Sequence, residues 1–382
     1  MQRRIGYILF SILLFAFAIM SISFFLPHIE NDEVIYQALA KKISKKPFDY
    51  SIQGTEILSQ LPKAQYDYPV FRHPPLFILL LALIYKILGV KFGIFIPILS
   101  GLFTIFIGFL IAKRIFSLKE AIVTAAILAF CPILFFASTK VWIDTTYVSL
   151  MCLSFYVFIC AYERQNYLIT VFSGAIFGLA ILTKYPSLGI APAILMYAYF
   201  KRNSFKDFFL RLFLFSITAF LITLPWLYYY RKAMGGFTYA AHFKTTPEFV
   251  EMFPFVKMTF ERPDYFYLQQ LVIVTPVYLF SIFYLLSGLK KKENVVLLIW
   301  ILSFLAGFII LFKLNIVGYT FRFLLPITVP LAVLSARAII KWEKFLLPLG
   351  IIFIFYQLIA GILSSYIFYS ADIFSIFYFL KR

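Results

Sequence analysis

The feature that most constrains this chain is a series of long, unbroken apolar runs. They lie at residues 5–26, 74–90, 92–112, 120–138, 144–161, 167–184, 186–200, 207–230, 268–288, 295–312, 322–340 and 345–367. Backbone N–H and C=O groups cannot stay unpaired in hydrocarbon, so a chain that crosses it is either helical or a closed barrel. Barrel strands alternate apolar with polar residues; these runs do not alternate, and most approach the roughly 20 residues that a spanning helix needs. Only 14% of the 382 residues are charged and the mean hydropathy is +0.91, whereas a soluble domain carries about 25% charged residues. The chain is therefore expected to be an all-α, multi-pass membrane protein, with one membrane domain over residues 1–382.

The net charge of +18 comes from 35 Lys and Arg against 17 Asp and Glu. There is no basic helix or aromatic–basic module of the kinds that read bases, so nucleic acid is not an expected partner. The excess is read as cytoplasmic loops obeying the positive-inside rule, with membrane lipids attracted through their anionic headgroups. Cys131, Cys152 and Cys160 all sit inside apolar runs without metal-ligand spacing, and read as small buried residues. Arg3 and Arg4 precede the first run, which is longer than a signal core and lacks a small-residue cleavage site before Pro27; it is expected to remain as the first span.

Whether all twelve runs cross decides the topology. If 74–90 crosses, Lys113-Arg114, Lys201-Arg202, Lys290–Lys292 and Lys341 with Lys344 all face outside, against the positive-inside rule. If it does not, those loops and Arg164 are cytoplasmic together. The run follows His73-Pro74-Pro75 and contains Lys86, and a stretch this short suits an interfacial segment. Eleven spans are thus expected, with a first extracytoplasmic loop over 27–91 that contains the interfacial segment 74–90, and a second large one over 231–267. The same choice gathers Glu30, Asp32, Glu33, Asp49, Glu56, Asp67, Asp144, Glu248, Glu251, Glu261 and Asp264 outside.

Several of these residues are candidates for chemistry. Asp32 in Asn31-Asp32-Glu33 lies just beyond the first span, at headgroup height; it could serve as a general base on an acceptor hydroxyl or simply cap a helix. Asp144 opens a span, where an ionisable group is costly and usually functional, although the helix dipole also favours an acid there. Arg72 and His73 precede two prolines that suit a first helical turn, and His73 reads as a phosphate ligand, a sugar ligand or a structural residue. Lys184 and Arg322 defy the positive-inside trend: each either snorkels to headgroups or clamps an anionic leaving group. His242 and the acids of 231–267 read as a substrate-facing cap without a recognisable metal spacing.

The order of these motifs resembles one superfamily. An acidic pair after the first span, His73-Pro74-Pro75-Leu76, an Asp following Trp142, Gly178-Leu179-Ala180-Ile181-Leu182-Thr183-Lys184 and Arg322-Phe323-Leu324-Leu325-Pro326 occur in this order in GT-C glycosyltransferases of the protein O-mannosyltransferase and aminoarabinose-transferase type, with their Rgt-like relatives. The resemblance runs from about residue 5 to 340. It implies the GT-C fold with interfacial helices in the first loop, an extracytoplasmic active site in the cell membrane, and a polyprenyl- or dolichyl-phosphate-linked hexose or pentose as donor. It also implies a base-like acid at Asp32 with Glu33 beside it, and a second acid at Asp144 that organises the phosphate or a metal. Arg72, His73, Lys184 and Arg322 fall near the donor phosphate. The resemblance fixes no cofactor, and a divalent metal is compatible with it. The chain ends soon after the last run and lacks a large inserted luminal domain, so a glycan or glycolipid acceptor stands beside a protein one. The rival from another class is a transporter or flippase of lipid-linked sugars, which calls for broken helices and ionisable groups near the midplane.

Overall fold

The computed structural model describes residues 2–28, 31–60, 69–236, 257, 259–263 and 265–367, and every regular element among them is helical. Along the chain run α1 (Gln2–Met20), α2 (Asn31–Lys45), α3 (Leu76–Ile87), α4 (Phe95–Ile115), α5 (Leu118–Ala129), α6 (Pro132–Ser138), α7 (Asp144–Glu163) and α8 (Tyr167–Thr183). There follow α9 (Ala191–Lys201), α10 (Phe205–Met234), α11 (Phe266–Ile273), α12 (Leu279–Gly288), α13 (Lys292–Lys313), α14 (Thr328–Lys341) and α15 (Glu343–Ile362).

Local chemistry sets the boundaries. Asn166 caps α8 by accepting from the N–H groups of Leu168 and Ile169, and Ser204 caps α10 by accepting from Asp207 N–H. The 30-residue α10 runs through Pro225 and stops at Gly235, whose φ of +76° suits the left-handed end of a helix. Proline breaks the other long runs: α5 and α6 meet at 57° where Pro132 starts the second piece, and α11 and α12 meet at 104° across Pro276.

Among the described residues seven segments can cross a membrane by length and apolarity: Ile5–Phe25, Val90–Ile115, Asp144–Glu163, Phe205–Met234, Lys292–Lys313, Phe321–Lys341 and Glu343–Tyr366. The two bent pairs raise this to nine. The expected eleven would also need α8, with 17 residues, and α9, with 11 residues after a 3-10 turn, and helix length alone does not supply these two. The helix α3 has 12 residues, about 18 Å of rise against a hydrocarbon core of about 30 Å. It begins and ends at one end of the molecule. His73, just before it, packs on Tyr36 of α2, and Phe92 and Phe95, just after it, both lie 5.5 Å from Phe24 at the end of the first span.

The basic loops gather at the opposite end. Arg114 pairs with Glu163 at 2.7 Å, Lys201 with Glu293 at 3.6 Å, and Lys341 donates to Ser287. A polar cavity of about 170 Å³ opens there among Arg114, Glu163, Gln165, Lys201 and Glu293. Beside it Arg211, 1% exposed, ties three helices together: it bonds Asp207 of its own α10, the carbonyl of Ala161 on α7 and the Thr170 hydroxyl on α8. Farther along the same interface Gly174 and Gly178 let α8 lie directly on α10. A Cβ at Gly174 would stand 2.4 Å from the Phe215 carbonyl oxygen, and one at Gly178 would stand 2.9 Å from that of Ala219. Small residues four apart allow this approach where no hydrophobic drive separates helix from lipid.

Candidate functional site

The end opposite the basic loops brings together residues from five stretches of sequence. Asp32 lies in the first turn of α2, whose dipole favours a carboxylate there. Its Oδ2 accepts from Arg322 Nη1 at 2.6 Å, and Arg72 Nη2 stands 3.6 Å from Oδ1. Burial by itself raises the Asp32 carboxyl; the charges of Arg322 and Arg72 outweigh that and hold it well below the usual carboxylate range. These three side chains remain reachable by water, at 14%, 18% and 23% exposure for Asp32, Arg72 and Arg322.

Arg322 is the second residue of a 3-10 segment, Phe321–Ile327, that follows the extended Thr320. Its guanidinium lies 5.1 Å from the Trp142 ring centre and 5.8 Å from that of Phe323, within cation–π range. Arg72 and His73 are placed by the strap that precedes α3. Phe71 N–H donates to the Tyr50 carbonyl, and the Tyr50 hydroxyl donates to the carbonyls of His73 and Pro74. The His73 ring packs edge-on against Tyr36 and Phe71. Burial, followed by the charges of Arg72 and Lys184, lowers its pKa well below the ordinary value, so the imidazole is neutral at pH 7.

Asp144 and Lys184 form a second pair behind the first. Asp144 is the first residue of α7 and Lys184 follows the last residue of α8, where Tyr185-Pro186 turns the chain into a 3-10 segment. The Lys184 ammonium donates to Asp144 Oδ1 at 2.7 Å and lies over the Tyr147 and Phe323 rings. At 0% and 9% side-chain exposure this pair is sealed. Lys184 thus faces a carboxylate rather than open headgroup space.

Glu33 points away from Asp32. Its Oε1 accepts from the Val141 N–H at 2.6 Å and lies 3.1 Å from His28 Nδ1, while His28 Nε2 sits 3.0 Å from the Ser23 carbonyl oxygen. It therefore braces the turn that leads into Asp144 against the end of the first span. His242 lies outside the described residues. Sequence reasoning did not assign Tyr36, one helical turn beyond Asp32 and close enough to feel its charge, nor the Trp142 and Phe323 rings that hold Arg322. The four-residue spacing from Asp32 was a usable signal for Tyr36; nothing in the sequence pairs Trp142 with Arg322.

As for a metal, no three His, Cys, Asp or Glu side chains among the described residues come together as donors. Asp32 and Asp144 each already face a cation. No step below is routed through a metal ion.

Residues 72–229 match the family model for dolichyl-phosphate-mannose-protein mannosyltransferase. That stretch contains Arg72, His73, Asp144 and Lys184, and leaves out Asp32 and Arg322. No curated protein matches the chain by sequence. Among solved structures, ArnT from Cupriavidus metallidurans bound to undecaprenyl phosphate superposes with a TM-score of 0.64 at 17% identity, over 94% of this chain and 70% of that one. The apo oligosaccharyltransferase of Archaeoglobus fulgidus gives 0.57 at 16% identity, over 96% of this chain and 55% of its own. The archaeal AglB from the same organism, in complex with an inhibitory peptide and a dolichol-phosphate, gives 0.58 at 15% identity, over 97% and 55%. The chain therefore spans just over half the length of the archaeal enzyme. It is a multi-pass membrane protein that shares its fold with ArnT and the archaeal oligosaccharyltransferase, and its residues 72–229 are similar to the dolichyl-phosphate-mannose-protein mannosyltransferase family.

Proposed function

We propose that this chain moves a sugar from a polyprenyl- or dolichyl-phosphate-linked donor to an acceptor hydroxyl at the extracytoplasmic face of the cell membrane. The observation that carries the reading is a water-reachable carboxylate, Asp32, bracketed by Arg322 and Arg72 at the end of the molecule away from the basic loops. Arg72, Arg322 and Lys184 supply three positive charges, and Asp32 and Asp144 supply two negative ones. With His73 neutral the cluster carries a net charge of +1, which suits a singly charged phosphodiester. The undecaprenyl phosphate bound by ArnT and the dolichol-phosphate bound by AglB support a lipid phosphate as the anion.

In the mechanism Arg322 and Arg72 hold the donor phosphate. Asp32 takes the proton of the acceptor hydroxyl. The hydroxyl oxygen forms its bond to the anomeric carbon as the bond from that carbon to the phosphate oxygen breaks, so a single in-line displacement inverts the configuration. Negative charge moves from the carboxylate to the departing phosphate, and the guanidiniums stabilise it there. Asp144 and Lys184 fix the wall behind the cluster, and Glu33 positions the turn before Asp144.

The transport reading predicts ionisable groups at helix breaks near the midplane. Among the described residues the two bent pairs break at Phe130-Cys131 and Val274-Thr275, where no Asp, Glu, Lys, Arg or His stands. To separate the two readings, purified protein in vesicles is given a polyprenyl-phosphate sugar labelled in the sugar, with an extract of surface glycans and glycolipids. Transfer yields a labelled acceptor and free polyprenyl phosphate; movement of intact donor between leaflets without either product overturns the proposal.

A further inference from the structure

We propose that Arg322 and Arg72 are shared between Asp32 and the donor phosphate, so that the carboxylate is freed to accept a proton only once a lipid phosphate has taken its place. This rests on the glycosyl-transfer reading above and adds an order to it: donor first, then activation of the acceptor. Two cation–carboxylate groups make up the candidate site, Asp144 with Lys184 and Asp32 with its two arginines, and their exposure separates them. The Asp144–Lys184 pair is sealed, at 0% and 9%, whereas Asp32, Arg72 and Arg322 are open at 14%, 18% and 23%. An incoming anion finds accessible surface on the second group and almost none on the first.

The contacts in that group are also of the kind that can be exchanged. Arg322 engages Asp32 through one guanidinium nitrogen at 2.6 Å, and Arg72 is at 3.6 Å, a charge contact beyond hydrogen-bond length. An arginine fork has five N–H donors in one plane and takes phosphate oxygens in pairs. The Trp142 and Phe323 rings beside Arg322 can hold its plane while its anion changes.

Charge conservation through the reaction fits the same sharing. Before transfer the carboxylate and the phosphodiester each carry one negative charge. During transfer the acceptor O–H bond breaks and its proton goes to Asp32, the acceptor oxygen bonds to the anomeric carbon, and the bond from that carbon to the phosphate oxygen breaks with its electron pair left on the phosphate oxygen. Afterwards the carboxyl is neutral and the lipid phosphate is a dianion. A carboxylate that kept both arginines would be a weak base, because proton uptake would strand two cations against a neutral acid. Shared arginines follow the charge from one anion to the other.

The test is binding of undecaprenyl phosphate to the full-length protein in nanodiscs, set beside sugar transfer. In Asp32→Asn the competing charge is gone, and affinity for undecaprenyl phosphate rises about tenfold, the equivalent of about 1.4 kcal/mol. In Asp32→Glu, which keeps the charge, affinity stays near that of the natural protein. Unchanged or weakened binding in a folded Asp32→Asn protein overturns the sharing. Should that variant fail to fold, Arg72→Gln keeps the Asp32–Arg322 pair; undecaprenyl phosphate binding then weakens about tenfold, and unchanged binding overturns the proposal equally. Transfer distinguishes the two layers. Tighter binding with transfer retained removes Asp32 as the base and leaves the sharing intact. Unchanged binding with transfer lost does the reverse.

Discussion

Glu33 and Asp32 are adjacent acids with different surroundings. Helical geometry turns Asp32 toward Arg322, and it turns Glu33 toward the backbone of Val141, 108 residues away. Neutral Glu33→Gln keeps an acceptor for the Val141 N–H, so it should retain transfer far better than Glu33→Ala, measured as kcat at saturating donor. The sealed pair behaves otherwise. Removing one partner of a buried ion pair leaves an uncompensated charge, at a cost of about 3–5 kcal/mol. Asp144→Asn and Lys184→Met should therefore each lower the unfolding midpoint strongly, and the double variant should recover part of the loss, as read from a double-mutant cycle in thermal unfolding.

Two groups also set how stability depends on pH. His73 stays neutral in the fold, while the unfolded chain protonates its histidine below about pH 6.5. The unfolded state then binds more protons, so stability falls as the pH drops through that region, and His73→Gln should flatten the curve between about pH 5 and 6.5. Asp32 acts lower. Its depressed carboxyl contributes stability that is complete above the ordinary carboxylate range near pH 4, and is lost as the pH falls toward the depressed folded value. Chemical unfolding across pH 3 to 7 separates the two windows.

At the scale of elements, the interface of α8 with α10 is the most exacting. The carbonyl of Phe215 stands where a Cβ on Gly174 would go, and backbone cannot swing aside as a flexible side chain can. Gly174→Val should cost about 1–3 kcal/mol through overpacking and lower the thermal midpoint, while the same change at Gly307, where a Cβ meets nothing within 4 Å, should leave packing undisturbed. The apolar runs made most of the helices legible in the sequence, and the proline-led run after His73, read as short, forms a helix of 12 residues. What periodicity did not disclose was how proline divides the longer runs. The stretches 120–138 and 268–288 each read as one span, yet Pro132 and Pro276 turn them into bent pairs at 57° and 104°. Segments of 17 and 11 residues then stand where two more spans were expected.

For the whole molecule, the division into a basic end and a site end is the organising fact. Asp144 stood out because an ionisable group at membrane depth is costly, and Lys184 and Arg322 because they defy the positive-inside trend. Their partners could not be read, since Asp32 and Arg322 are 290 residues apart and only the folded bundle makes them neighbours. Spacing suggested cations that wait for a phosphate; the fold pairs each of them with an acid. The most direct measurement of the central claim is turnover of a labelled polyprenyl-phosphate sugar by purified protein, comparing the natural chain with a folded Asp32→Asn variant. A rate lower by about 10²–10⁴ in the variant is the predicted result; near-equal rates would contradict a base at Asp32 and the mechanism built on it.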